Sequence, residues 1–337
     1  MKLNLFKILF YIFLGTSSTS YKIINNRNII KNKKTIMYNN IINDHNNKNK
    51  IDGFLQLIRA KNIIPCFFLN FSGGFMMEPS IIALLHNTNF IISSIITSLI
   101  MSTSMIINDL FDIEIDKINN KDRPLITGII TKKEAIISIF SISLLIEYLN
   151  LYLPNDLQNI VNISLFLIFI YTPIIKKIVL LKNIFCASLV SFSIFLSGLS
   201  IVNDQIMLND NYNLFLVEIG LIFFGSLYNE ILLDITDIKG DKINNINTIP
   251  VILGKKNALI LESIIISLNM ILSFLLLLNN YDIKYAILLE LCFIPLLYDL
   301  YNIFTNNLDD VYIKKAILNL NMTLFLSLIY ICSLAII

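Results

Sequence analysis

The chain has 337 residues, 55% of them apolar and only 15% charged, with a mean hydropathy of +0.71 and a formal net charge of +2. Soluble proteins carry nearer a quarter charged residues, so the composition excludes an ordinary soluble globule and points to an integral membrane protein in a lipid bilayer. A near-zero net charge, with the bases in short blocks, also excludes a nucleic-acid surface, and no obligatory protein partner is evident.

In chain order, residues 1–53 differ from the rest. A short apolar run, Leu3–Leu14, follows Lys2 and ends at "GTSSTS"; Tyr21–Lys50 is then basic and Asn-rich, with Asp44 its single acid. An apolar signal before a basic, acid-poor stretch fits a bipartite leader for a plastid-type organelle; the alternative is a first-helix anchor with a disordered tail. Neither belongs to the working fold, which is expected over 54–337. Asn, Ile and Lys are abundant throughout, as A+T-rich coding DNA would give, so the Asn runs carry no separate signal.

From Phe54 onward nine segments have the roughly 20-residue length a bilayer needs: 55–77, 90–108, 133–153, 157–175, 180–202, 212–233, 257–279, 284–304 and 315–337. The fold class is therefore all-α, multi-pass, with about nine transmembrane helices. If every segment crosses, the loops after even-numbered segments and the start of the first share one face. That face carries sixteen Lys and Arg and the other only Lys284, a positive-inside signal.

Two motifs close even-numbered segments on that basic face. "NDLFDIEIDKINNKDRPL" carries Asp109, Asp112 and Asp116, and "NEILLDITDIKGDK" carries Asp234, Asp237 and Asp241, each triad spaced three and then four. On a helix this spacing places three carboxylates on one stripe. Six acids at one membrane rim need a cation between them, and hard oxygen ligands suit Mg²⁺, which bridges carboxylates to phosphates. Arg123, Lys176, Lys177 and Lys242 lie nearby to take phosphate oxygens, so the pattern reads as a diphosphate site.

Other chemistries fit poorly. Only His45 and His86 exist, both away from the acids, which excludes a Ser-His-Asp hydrolase and a His-based zinc site. Cys66, Cys186, Cys292 and Cys332 stand singly in separate apolar segments, without metal-ligand spacing. Neither motif has the ligand register of an EF-hand. The rival reading is a transporter that uses intramembrane acids for cation passage, but the third, fifth, seventh and ninth segments contain almost no charge at mid-span.

These residues resemble the UbiA superfamily of intramembrane prenyltransferases. Its first signature matches Asn108, Asp109, Asp112, Asp116, Asn119, Arg123, Pro124 and Gly128; its second matches Asp234, Asp237, Gly240, Asp241, Lys242, Thr248, Pro250, Leu253 and Gly254. "RAKNIIP" at Arg59–Pro65 and "YTPIIKK" with the following "KN" at Tyr171–Asn183 resemble two further family segments.

The resemblance implies nine helices around a central cavity, with the acidic motifs capped on one side. It also implies that the six aspartates are catalytic and hold Mg²⁺, and that Asn108, Arg123, Lys176 and Lys242 bind diphosphate. The activity implied is transfer of an isoprenoid chain from its diphosphate, through an allylic carbocation, to a lipid, tetrapyrrole or aromatic acceptor. The second motif looks most like the branch of digeranylgeranylglyceryl phosphate and chlorophyll synthases, which implies a geranylgeranyl donor; Asn229 and Leu233 replace the Arg and Lys common there. Gly198, Gly220 and Gly225 are where such a tail could approach a helix backbone, although ordinary helix–helix packing is the plainer reading of each.

Overall fold

The computed structural model describes residues 49–201, 211–243 and 246–336. Packing divides the chain at Gly53/Phe54, and every helix named below belongs to the second unit. The apolar signal and basic stretch expected in the leader lie, up to residue 48, outside the described residues.

Among the described residues there are helices and turns and no strand. The helices are α1 (Ile63–Met77), α2 (Ile81–His86), α3 (Thr88–Phe111), α4 (Ile113–Asn119), α5 (Pro124–Thr127), α6 (Lys132–Asn150), α7 (Asn155–Tyr171), α8 (Leu181–Leu199), α9 (Asn211–Ile243), α10 (Ile249–Leu253), α11 (Lys255–Leu278), α12 (Ile283–Leu291), α13 (Ile294–Thr305) and α14 (Asp310–Leu334).

Their ends follow local chemistry. The Asn87 side chain accepts from Phe90 N at the start of α3. Thr131 and Glu134 form a reciprocal capping box at α6, which satisfies two amides that the helix itself leaves orphaned. Glu78 precedes Pro79 and is extended, φ −138°, as a residue before proline prefers; α1 stops there.

Helices α3, α8, α9, α11 and α14 are long and apolar enough to cross a membrane, and α12 with α13, bent by 45°, is a sixth if the pair counts as one span, with Pro295 in the first turn after the break. This is an integral membrane protein. Three expected segments fall short of the same criterion. Helix α1 has 15 residues, about 22 Å against a hydrocarbon core of about 30 Å; α7, between Pro154 and Pro173, has 17; α6 opens on Lys132, Lys133 and Glu134. The sixth expected segment errs the other way, because α9 continues ten residues past 233 and carries the second motif inside one unbroken helix.

Two apolar clusters make the core. One joins α9 to α8, α11, α14 and α1; the other joins α3 to α6 and α7. Lipid tails are as apolar as leucine, so close packing and polar contacts hold such helices together. A Cβ at Gly73 would lie 2.4 Å from the Ile194 carbonyl oxygen, so only glycine lets α1 and α8 meet there. Thr97 Oγ1 donates to Asn70 Oδ1 at 2.8 Å, tying α3 to α1. Gly198 and Gly225 do the same kind of work: their missing side chains are filled by Phe215 and Leu324, so both serve helix packing, the plainer of the two readings their sequence allows.

Candidate active site

The first motif straddles a helix junction. Asp112 is both the last cap of α3 and the first of α4, at φ −88° and ψ 7°. The ladder survives: Asp112 N donates to Asn108 O at 3.0 Å and Asp116 N to Asp112 O at 2.8 Å, which keeps the stripe together. Asp109 and Asp116 are buried and share Arg123, whose Nη1 pairs with Asp109 Oδ1 and lies 3.2 Å from Asp116 Oδ2. Arg59 Nη2 reaches Asp109 at 3.2 Å, and Asn120 Nδ2 donates to Asp116 Oδ1 at 2.9 Å. Lys176 Nζ donates to Asp112 Oδ2 at 2.5 Å and to Asn108 Oδ1 at 2.9 Å.

The second motif lies near the end of α9. Asp234 is buried; its Oδ1 accepts from Lys182 Nζ at 2.6 Å and its Oδ2 from Asn183 Nδ2 at 2.9 Å. Asp241 Oδ2 accepts from Thr248 Oγ1 at 3.1 Å. Asp237 and Lys242 are exposed and make no ion pair among the described residues.

One connector serves both motifs. After α7 the chain passes through a short turn at Ile175–Lys177 and through Leu180, whose φ of 67° is unusual for a branched residue, before entering α8. Lys176 and Lys182 leave this segment toward the two motifs; six residues apart, their Cα atoms cannot be more than about 21 Å from each other. Across the ends of this connector the Tyr171 ring stacks on Phe185, centroids 4.7 Å apart, and Tyr171 Oη lies 3.0 Å from Cys186 Sγ.

The donor atoms are hard oxygens, the chemistry that Mg²⁺ prefers. Among the described residues no three acids, His or Cys stand together as a metal-holding group; four of the six carboxylates are instead neutralised by Arg59, Arg123, Lys176 and Lys182. Buried carboxylates need counter-charge, and here arginine and lysine supply it. Arg123 and Lys176, expected to face diphosphate, thus face aspartates.

Sequence reasoning missed Arg59, Lys182, Asn183 and Thr248. Each lies inside a stretch that resembles the family, but nothing in their spacing tied them to a particular aspartate.

Residues 67–329 match the UbiA prenyltransferase family. A digeranylgeranylglyceryl phosphate synthase of Saccharolobus solfataricus is 29% identical over 247 residues, 73% of this chain and 84% of that one. The corresponding synthase of Sulfolobus acidocaldarius is 31% identical over 220 residues, 65% and 75% of the two chains. Among solved structures, one concerned with the biosynthesis of digeranylgeranylglyceryl phosphate synthase in membranes is similar, with a TM-score of 0.65 and 25% identity over 85% of this chain and 99% of that chain. A UbiA homologue from Archaeoglobus fulgidus bound to DMAPP and Mg²⁺ shares the fold, with a TM-score of 0.56 and 19% identity over 82% and 98% of the two chains. With paired aspartate motifs at helix ends, an all-helical membrane fold and a match across most of its length, the chain belongs to the UbiA prenyltransferase family.

Proposed function

We propose that this prenyltransferase moves a geranylgeranyl group from its diphosphate to an apolar acceptor, at the rim where both aspartate motifs meet one connector. The observation that carries the reading is the pair of lysine contacts, Lys176 to Asp112 and Lys182 to Asp234, which links the two acidic stripes through a single short segment. Asp109, Asp112, Asp116, Asp234, Asp237 and Asp241 would hold Mg²⁺, which would supply positive charge to offset that of the diphosphate leaving group.

Arg123, Lys176 and Lys182, once released from their aspartates, are placed to donate to phosphate oxygens, with Asn108 steadying the first motif and Lys242 approaching from solvent. The allylic C–O bond breaks, the acceptor's nucleophilic atom bonds to C1, and the acceptor gives up a proton. Apolar walls keep water from the cation. The synthases among the relatives carry two geranylgeranyl groups on glyceryl phosphate in their names. They support a lipid acceptor of that kind ahead of a tetrapyrrole or an aromatic.

Residues 54–337 are the working domain in this reading, with α1, α6 and α7 completing the crossings by local bilayer thinning. The relatives described above are archaeal and lend no support to a plastid destination for residues 1–53; the transporter reading gains no support from the family either. The test uses the full chain in lipid nanodiscs with labelled geranylgeranyl diphosphate and a panel of lipid, tetrapyrrole and aromatic acceptors. Transfer is expected with Mg²⁺, lost in EDTA and restored by added Mg²⁺. Full activity in chelator would sink the role given to the carboxylates, and no transfer to any acceptor would sink the function.

A further inference from the structure

Helices α9, α11, α12, α13 and α14 pack as one module: α11 and α14 both lie on α9, α12 lies on α11, and α13 lies on α14. Its core is not wholly apolar. On α11, Glu262, Asn269 and Ser273 are buried, and spacings of seven and four residues put them on one stripe. That stripe is the middle of the buried face, with Leu259 and Ile266 to one side and Ala258 and Ile265 to the other. On α14, Asn319, Thr323 and Ser327 stand four apart and make a second stripe, its last two members buried.

Each stripe meets an acid of the bent pair α12–α13. Asn319 Nδ2 donates to Asp299 Oδ2 at 2.8 Å, and Ser273 Oγ lies 3.4 Å from Glu290 Oε1. From Glu262 to Ser273 is eleven residues, about 16 Å along the axis, more than half of a hydrocarbon core of about 30 Å. Tyr228, on α9, lies within electrostatic reach of both Glu262 and Asp299, and Glu262 within reach of Asp234 in the second motif.

These groups are short of partners. Both Glu262 carboxylate oxygens, Glu290 Oε2, the Tyr228 hydroxyl and Thr323 Oγ1 are buried without a hydrogen bond among the described residues; Tyr228, Glu262 and Thr323 are 0% exposed. Every Lys of these helices stands near a helix end, so no base lies among the acids. Polar side chains that merely join membrane helices satisfy one another. Carboxyl groups left without partners in a low-dielectric core are protonated or hydrated, and acids in that state inside a membrane are the chemistry of a proton relay.

We propose that Glu290, Asp299, Tyr228 and Glu262 carry protons through the core of this module, between the far side of the membrane and the level just beneath the second motif. Asn269 and Thr323 lie between the two levels of acids and hold the water that bridges them. Each group passes a proton to a bridging water as it takes one from behind, so no covalent bond to the protein forms and nothing is oxidised. The pH difference across the membrane drives the flux, and prenyl transfer is not required for it.

The full chain is reconstituted in liposomes with equal potassium on both sides, valinomycin for charge balance and a trapped pH-sensitive dye, and a pH step is applied. Flux is expected at least about tenfold above that of protein-free liposomes, and at least about tenfold lower in Glu262→Gln and in Glu290→Gln, since a relay step without its titratable group loses a decade of rate or more. Glu290→Asp, which keeps the carboxyl group, should recover most of it. Glu290→Gln lies away from the aspartate motifs and should keep prenyl transfer, which shows that it is folded.

Flux no greater than that of protein-free liposomes overturns the proposal. Flux unchanged in both Gln variants overturns it too, and leaves the stripes as helix packing alone. Flux that behaves as expected in a chain without prenyl transfer would count against the transfer reading and not against the relay.

Discussion

Removing the amine that holds Asp234 gives the most direct test of how this site stores its charge. Lys182 Nζ and Asp234 Oδ1 are 2.6 Å apart, with side chains 20% and 9% exposed. At an effective dielectric constant of about 20, two unit charges at that separation attract by about 6 kcal/mol. Desolvation of both offsets much of this, and deleting one partner of a buried pair costs about 3–5 kcal/mol. Both groups keep some contact with solvent, so Lys182→Met is expected at the lower end, a loss of about 3 kcal/mol.

The loss comes from the carboxylate left behind, still bonded to Asn183 but without its counter-charge. Asp234→Asn in the same background should therefore recover most of it. The chain has no Trp, so unfolding in nanodiscs is followed by far-UV circular dichroism. Mg²⁺ alone should then stabilise Lys182→Met more than the unaltered protein, since the metal ion supplies the missing counter-charge, by up to about 2.7 kcal/mol at a hundredfold excess over Kd. A single variant that loses under about 1 kcal/mol, or a double variant as unstable as the single, would refute the reasoning, because neither result fits a stranded buried charge.

Two further outcomes follow from the same geometry. Asp112→Asn and Asp237→Asn each remove one carboxylate charge with almost no change of shape, and each should lower prenyl transfer at least about a hundredfold, the scale of losing one electrostatic stabiliser; steady-state rates within a few-fold of the unaltered enzyme would remove both from the site. Single cysteines at Asp122 and Lys239, both exposed, in a background without the four free native cysteines, should label with an impermeant maleimide from the same side of the membrane. Labelling from opposite sides would part the two motifs and end the shared site.

What the sequence made legible was whatever repeats within a few residues. The three-and-four spacing of the aspartates is a helical period, and in the structure Asp234, Asp237 and Asp241 lie on one uninterrupted helix, Asn211–Ile243. Segment lengths were less legible, because a hydropathy pattern does not say where the hydrogen-bonded ladder stops. Arg59, at φ 54°, interrupts the first expected segment before α1 begins at Ile63, and the stretch read as one eighth span bends just before Pro295. Partners from far along the chain were not legible at all. Arg59 lies 50 residues from Asp109 and Lys182 lies 52 from Asp234, and only tertiary packing makes them neighbours. The same holds for Gly198 and Gly225, whose partners Phe215 and Leu324 sit on other helices.

The bases that read as a topological signal turn out to have a second physical role. Arg59, Arg123, Lys176 and Lys182 belong to the sixteen Lys and Arg assigned to one face, yet each is spent on an aspartate of the two motifs. Carboxylates near a low-dielectric slab need counter-charge, so an enzyme that keeps them for a metal ion, as proposed here, would need removable counter-charge of its own. Long, flexible lysine and arginine side chains meet that need, since each can move from carboxylate to phosphate without moving its helix. On the proposed reading, a face that binds diphosphate through acids must also be rich in bases, so the charge asymmetry would report the site as much as the orientation.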